Sequence, residues 1–341
     1  MTPTPVSHSR IAQVAYADLL RLHLDEQASA LLGSLEERAR NGRVYLYDKF
    51  RLGTEMRSRY LGEATPELRA RLARAAEIRA GAEERRAAMT RLARILRAEG
   101  YVATDRDTGS LLYAFARAGL FRLGGTLIGT GAFALYQGEL GVRFGADDLA
   151  QTGDIDFASF ERLSVALGDR VEEDPGDILQ ALKFDPVPGL QDRQVWKWRQ
   201  NRGTAMVEFL TPAFGDERVK PLPALGVSAQ ALNYLNFLLA EPIHAVALYR
   251  SGVLVQIPRP ERYAIHKLIV ADRRIGGPDQ LKAEKDRAQA ALLIRILAQD
   301  RPDDLAEAHA DALSRGPRWR ERIEASLSRM PDSAAELAAL S

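Results

Sequence analysis

The sequence predicts an α+β protein: a small mixed-sheet core flanked by an N-terminal helix and β-hairpin region and a C-terminal helical region. Three observations carry that expectation. Apolar residues recur at intervals of three and four near both ends, short alternating or apolar runs fill the middle, and paired glycines near residue 124 join a strand-like run to a helix-like one. The predicted divisions are 1–109, 110–223 and 224–341.

In the first region, Ile11, Val14, Ala15, Leu19, Leu22, Leu31, Leu32 and Leu35 form a helical stripe that Asn41-Gly42 ends. From Arg43 to Tyr60, Val44, Leu46 and Phe50 alternate with Tyr45, Tyr47, Lys49 and Arg51, and Leu52-Gly53-Thr54 offers a turn, so a hairpin is expected. One face of it combines Tyr45 and Tyr47 with Lys49, Arg51, Arg57 and Arg59. Residues 65–98, rich in Ala, Arg, Glu and Leu, predict one or two solvated helices closed by Gly100.

In the second region the expected order is a helix over Ser110–Ala118, a strand over Leu120–Leu123, a glycine turn, a helix over Leu127–Glu139 and a strand over Ile155–Phe160. Further strands are expected at Leu182–Phe184, Gln194–Arg199 and Ala205–Leu210. The third region predicts an apolar helix over Ala229–Leu239, a hairpin of Ala245–Tyr249 and Val253–Ile257, and then mostly helix.

The composition narrows the function classes. With 47 Lys and Arg against 46 Asp and Glu, whole-chain charge gives no argument for nucleic acid or membrane as a partner. The absence of cysteine excludes thiolate chemistry and disulfides and fits a reducing compartment. No apolar run approaches the ~20 residues of a membrane span, so a cytoplasmic location without membrane contact is expected.

The residues that carry chemistry centre on Gly153-Asp154-Ile155-Asp156-Phe157. In an extended chain residues i and i+2 share a face, so Asp154 and Asp156 project together while Ile155 turns to the core. Paired carboxylates on a rigid strand suit hard divalent cations, which take oxygen ligands. Glu208, the single acid in the apolar run Ala205–Leu210, is the candidate third carboxylate. Upstream, in Leu123-Gly124-Gly125-Thr126-Leu127-Ile128-Gly129-Thr130, an apolar strand meets paired glycines, a hydroxyl residue and a helix, whose starting backbone N–H groups could hold a phosphate.

A strand, Gly-Gly-Thr, a helix and then Asp-x-Asp resembles the DNA polymerase β-like nucleotidyltransferase superfamily. The runs Leu120–Thr126, Thr152–Ala158, Val207–Pro212 and His266–Arg274 are similar to nucleotidyltransferase-like domain proteins related to abortive-infection and MenT-type toxin enzymes. The resemblance implies transfer of a nucleoside monophosphate from a nucleoside triphosphate such as ATP to an acceptor hydroxyl, with release of pyrophosphate. It also implies that Asp154, Asp156 and Glu208 bind two Mg²⁺ ions, with Mn²⁺ as the alternative. Gly124, Gly125 and Thr126 would hold the triphosphate, together with Lys267 and Arg274. On a helix those two cations fall at i and i+7, on one face; the bland alternative pairs them with Asp272 and Glu261. Thr126 and Glu208 stand where many members have serine and aspartate.

The basic and aromatic hairpin at 43–60, with the toxin-like resemblance, favours RNA, in particular a tRNA-like end, as acceptor. An antitoxin protein would be a further partner. Two other readings compete: a catalytically inactive protein of this fold that binds nucleic acid or a partner, and an oxidoreductase suggested by Gly129-Thr130-Gly131-Ala132-Phe133-Ala134. No Walker sequence and no zinc-like histidine spacing occurs. His266 reads as a structural histidine.

Overall fold

A computed structural model describes residues 6–28, 34–40, 42–52, 55–66, 69–70, 72–73, 80–145, 154–159, 171, 173–188, 194–275 and 280–340. The expected turn at Gly53-Thr54 and Gly153 of the central motif lie outside these residues.

The chain is α+β, as its pattern predicts. Its main sheet is mixed and runs β11 (Val219–Leu222), β12 (Val227–Leu232), β10 (Met206–Pro212), β7 (Asp154–Ala158), β5 (Thr126–Ile128). β9 (Lys197–Gln200) pairs with the Met206–Glu208 end of β10, on the side that β12 takes further along, and β8 (Phe184–Pro186) pairs with β9. β10 is parallel to β7 and β12 and antiparallel to β9, while β5 is antiparallel to β7.

Alternation along these strands separates two faces. Ile155, Phe157, Val207 and Phe209 are buried. Phe115 of α3 (Arg106–Arg117) meets Phe157 edge-on at 5.1 Å, and Phe157 stacks on Phe209 at 5.9 Å. Aromatic pairs of this kind add about 0.5–1.5 kcal/mol beyond area burial, which ties α3 to the core face. The opposite face carries Asp154, Asp156 and Glu208. Asp154 there approaches Lys282 of α8 (Gln280–Asp300), which packs on α7 (Pro260–Arg273). One apolar cluster runs from Leu111 to Leu337, and a second joins α1 (Arg10–Ala28) and α2 (Ala82–Ala98) to Val246 and Leu248.

The structure corrects three local expectations. The helical stripe does not continue to Asn41: α1 ends at Ala28, and Ser34–Arg40 is strand β2 of a three-stranded antiparallel sheet with β3 (Arg43–Leu52) and β4 (Glu55–Glu63). Arg40 pairs with Arg43 across a two-residue connection in which Gly42 has φ 74°. Asn-Gly is a strong hairpin signal, because tight two-residue turns need positive φ.

Leu120–Leu123 forms no strand. It is a compact turn in which the N–H groups of Leu120, Leu123 and Gly125 donate to the carbonyls of Phe115, Gly119 and Leu120, with positive φ at Gly119 and Gly124. The strand is Thr126–Ile128 instead, and α4 spans Gly129–Leu140. Nor is Ala229–Leu239 one helix: β12 buries Ala229 and Ala231 between β10 and β11, and only α6 (Leu235–Leu238) is helical. The later hairpin, β13 (Ile243–Ala247) with β14 (Val253–Ile257), lies where the alternation puts it.

Candidate active site

Register brings the three acids together. In the parallel pairing of β7 and β10, Asp156 lies opposite Glu208 and Asp154 opposite Met206. Directly opposed residues share a face and stand close, so Asp154, Asp156 and Glu208 occupy neighbouring positions on the side away from Phe157 and Phe209.

Each acid has its own electrostatic setting. Glu208 accepts an ion pair from Lys197, opposite it on β9, at 2.6 Å. Asp154 has Lys282 of α8 at 3.8 Å. Asp156 makes no ion pair among the described residues. Burial, then repulsion from Glu208 and Asp154, raises its carboxyl from 3.8 to about 7, against a lowering influence from Lys267 and Arg274. Among the described residues, no group of three acidic or histidine side chains is placed so that it could hold a metal ion.

The element that abuts Asp156 is the start of α4. Gly129 has φ 62°, and a Cβ there would lie 2.6 Å from Asp156 Oδ2, so this position requires glycine for conformation and for space. Tyr263 of α7 donates its hydroxyl to the Gly129 carbonyl at 2.9 Å, pinning the turn. The first N–H groups of a helix lack intrahelical acceptors and favour anions.

The Gly124-Gly125-Thr126 turn is placed differently. Thr126 pairs with Ala158, two residues further along β7 than Asp156, and is 1% exposed. Its hydroxyl donates to the Gly124 carbonyl and accepts from Gln256 at 2.8 Å. Gly125 packs so tightly on Leu120 that a Cβ would lie 2.4 Å from a side-chain methyl. These residues shape the approach to β5 and are not brought to the carboxylates.

Lys267 and Arg274 do share a face. Their partner is neither Asp272 nor Glu261 but Asp286 of α8, which is 2% exposed, accepts from Lys267 at 2.5 Å and is also paired with Arg274. Asp272 pairs with Arg322 and Glu261 with Arg259 and Arg301. His266 is buried, and desolvation followed by repulsion from Lys267, Arg273 and Arg274 pushes it down to about 3, so it stays neutral at physiological pH.

Sequence reasoning had Gly129 within its glycine-rich run but did not single it out, and it missed Tyr263, Lys197, Lys282 and Asp286. Signals existed for Gly129 and Asp286. Leu127-Ile128 before Gly129 is the strand-to-helix junction, and Asp286 is an acid on the buried stripe Ala283, Ala290, Leu293 and Leu297 of α8. The Gly129–Ala134 motif also belongs to no dinucleotide unit, which needs parallel strands around its helix, whereas β5 and β7 are antiparallel.

A cavity of about 490 Å³ opens at the same end of the sheet, lined in part by Thr130, Gly131, Asp154, Gln200 and Arg202. Mixed sheet, carboxylate row and helix start lie together around Asp156. The nucleotidyltransferase family matches residues 106–314, more than half of the chain, and the chain belongs to that family. Among solved structures, the chain is similar to an antigenic nucleotidyltransferase-like protein from Paracoccidioides brasiliensis, with 16% identity and a TM-score of 0.32 over 65% of this chain and 94% of that one. No curated protein compared with the chain matches it. Among the described residues, no helix is long and apolar enough to cross a membrane.

Proposed function

We propose that this protein transfers a nucleoside monophosphate from a nucleoside triphosphate to an acceptor hydroxyl, in the manner of the DNA polymerase β-like superfamily. The observation that carries the reading is the placement of Asp154, Asp156 and Glu208 on one face of two parallel strands, beside the glycine-initiated helix α4.

The acids fit a divalent cation in kind: all are hard oxygen donors, and Asp156, whose proton affinity is raised first by burial and then by Glu208 and Asp154, has negative neighbours whose repulsion a cation would relieve. Asp154, Asp156 and Glu208 would hold Mg²⁺ or Mn²⁺. When bound there, the ions supply charge neutralisation at the α-phosphate and acidify the attacking hydroxyl.

The chain's own groups do the rest. Backbone N–H groups of Gly129, Thr130 and Gly131 bind the triphosphate, a role shifted from Gly124, Gly125 and Thr126. Lys267 and Arg274, oriented by Asp286, offset its charge. Glu208 accepts the acceptor's proton, the acceptor oxygen joins the α-phosphorus, and the bond to the β-phosphate breaks to release pyrophosphate. The 490 Å³ cavity beside Asp154 has the size of a small-molecule pocket and suits the nucleoside.

The acceptor in this reading is RNA, and a toxin-type role with a cognate antitoxin in the cytoplasm follows from the same resemblance. On the N-terminal sheet, half-buried Tyr45 and Tyr47 alternate with buried Leu46, Lys49 is exposed, and Arg38 lies 4.4 Å from the Tyr47 ring centroid. Aromatic faces flanked by cations support stacking on bases.

A second reading, an inactive binding protein of this fold, is favoured by the lysines already seated on Glu208 and Asp154. Incubation with Mg²⁺, each α-labelled triphosphate in turn, and cellular RNA or lysate separates the two. Active transfer leaves label in one macromolecular fraction with stoichiometric pyrophosphate; the inactive protein yields neither.

A further inference from the structure

The cavity that Asp154 lines is also lined by Asp107 of α3 and Gln200 of β9, a polar pair that the transfer chemistry leaves unused. Gln200 Nε2 donates to Asp107 Oδ2 at 3.1 Å. A carboxylate offers acceptors only, so the amide must turn its nitrogen to Asp107. Its oxygen then lies against the 201–204 connection, where Gly203 leaves room for it: a Cβ there would lie 2.2 Å from Gln200 Oε1.

Neither side chain is committed to holding the fold. Helix α3 is capped by Asp105, whose carboxylate accepts from the N–H groups of Asp107 and Thr108 at 3.0 and 2.9 Å. Asp107 itself is exposed and forms no ion pair among the described residues. Gln200 secures the end of β9 through its backbone, which donates to the Ala205 carbonyl at 2.9 Å. Buried Leu112, Leu127 and Phe184 give the same cavity an apolar wall against which a flat ring can lie.

Taken in order along the pair, these groups are one donor and two acceptors: the second N–H of Gln200 Nε2, then Oδ2 and Oδ1 of Asp107, which have lone pairs to spare. Guanine presents the complement, its O6 acceptor followed by the N1 and N2 donors. Adenine would set the N1 lone pair against the carboxylate, cytosine the N3 lone pair, and uracil a carbonyl oxygen. Each of those leaves an acceptor facing an acceptor, and a polar site discriminates against a ligand that leaves its groups unpaired.

We infer that Asp107 and Gln200 read the nucleobase, and that the triphosphate is GTP, with guanine N1–H and N2–H donating to Asp107 and O6 accepting from Gln200. This rests on the proposed transfer reaction, in which the cavity holds the nucleoside.

Equilibrium dialysis of the full chain with Mg²⁺ and each labelled triphosphate measures the preference. GTP should bind about 10- to 100-fold more tightly than ATP, CTP or UTP, the discrimination of one good bidentate pair. Inosine triphosphate, which lacks the 2-amino group, should fall between. Asp107→Asn exchanges an acceptor for a donor, so it should lose GTP affinity by at least ~10-fold and gain affinity for xanthosine triphosphate, whose 2-carbonyl accepts the new N–H. A folding defect lowers all affinities together and cannot produce that gain; matched thermal melting checks it. Equal affinity for the four common triphosphates, no triphosphate binding, or an Asp107→Asn variant that gains no xanthosine triphosphate overturns the guanine site. Label transfer to cellular RNA is followed in parallel. Selective GTP binding without transfer defeats the reaction and leaves the guanine site standing, whereas transfer at equal rates from all four triphosphates defeats the guanine site and leaves the reaction.

Discussion

Replacing Asp156 with asparagine should remove a pH-dependent penalty from the folded chain. In the fold this carboxyl titrates at about 7 instead of 3.8, chiefly because it is desolvated and faces Glu208 and Asp154. At 1.36 kcal/mol for each pH unit, the difference amounts to ~4 kcal/mol. Coupled titration among the three acids reduces the part assigned to Asp156 alone to about 2–4 kcal/mol. The folded chain holds this proton more tightly than the unfolded chain. The associated stability is therefore full below about pH 4 and lost as pH rises through about 7. Denaturant unfolding of the metal-free protein at pH 5, 6, 7 and 8 measures this. The wild type should weaken across that range relative to Asp156→Asn, and Mg²⁺ should restore the wild type at pH 8 without stabilising the variant equally. Parallel pH profiles for the two proteins would refute the claim that Asp156 carries strained negative charge.

Two further substitutions separate the glycine turns. Gly129→Ala forces an unfavourable left-handed conformation, worth about 1–2 kcal/mol, and drives a methyl against Asp156; thermal melting should fall and nucleotide transfer should drop at least ~10-fold. Thr126→Val removes the acceptor for half-buried Gln256, so stability should fall by about 0.5–1.5 kcal/mol, while triphosphate affinity by equilibrium dialysis should stay within about twofold of wild type. A large loss of nucleotide affinity in Thr126→Val would return the phosphate to the upstream turn.

Much of the architecture was legible because it depends on local periodicity. The i, i+2 spacing of Asp154 and Asp156 around Ile155 sets their shared face, and the isolated acid in Ala205–Leu210 marks Glu208 as a residue that an apolar strand does not need. What was illegible depends on partners distant in sequence. Ser34–Arg40 has the composition of a helix, but pairing with β3 through the Gly42 turn overrides that preference. Ala229 and Ala231 favour helix in isolation and serve here as small residues between two strands. Leu120 and Leu123 look like a strand, yet the positive φ at Gly119 and Gly124 closes them into a turn and moves the strand to residue 126. The pairing of Lys267 and Arg274 with Asp286 joins two helices, and no spacing rule within one helix reveals it.

In the proposed reaction, transfer depends on Asp154 and Asp156. The most direct measurement is label transfer from an α-labelled triphosphate to the acceptor fraction identified with wild type, comparing wild type with Asp154→Asn/Asp156→Asn at matched folding. A loss of at least ~10²-fold is predicted, the scale of removing a principal electrostatic stabiliser; near-normal transfer by the double variant would contradict the account.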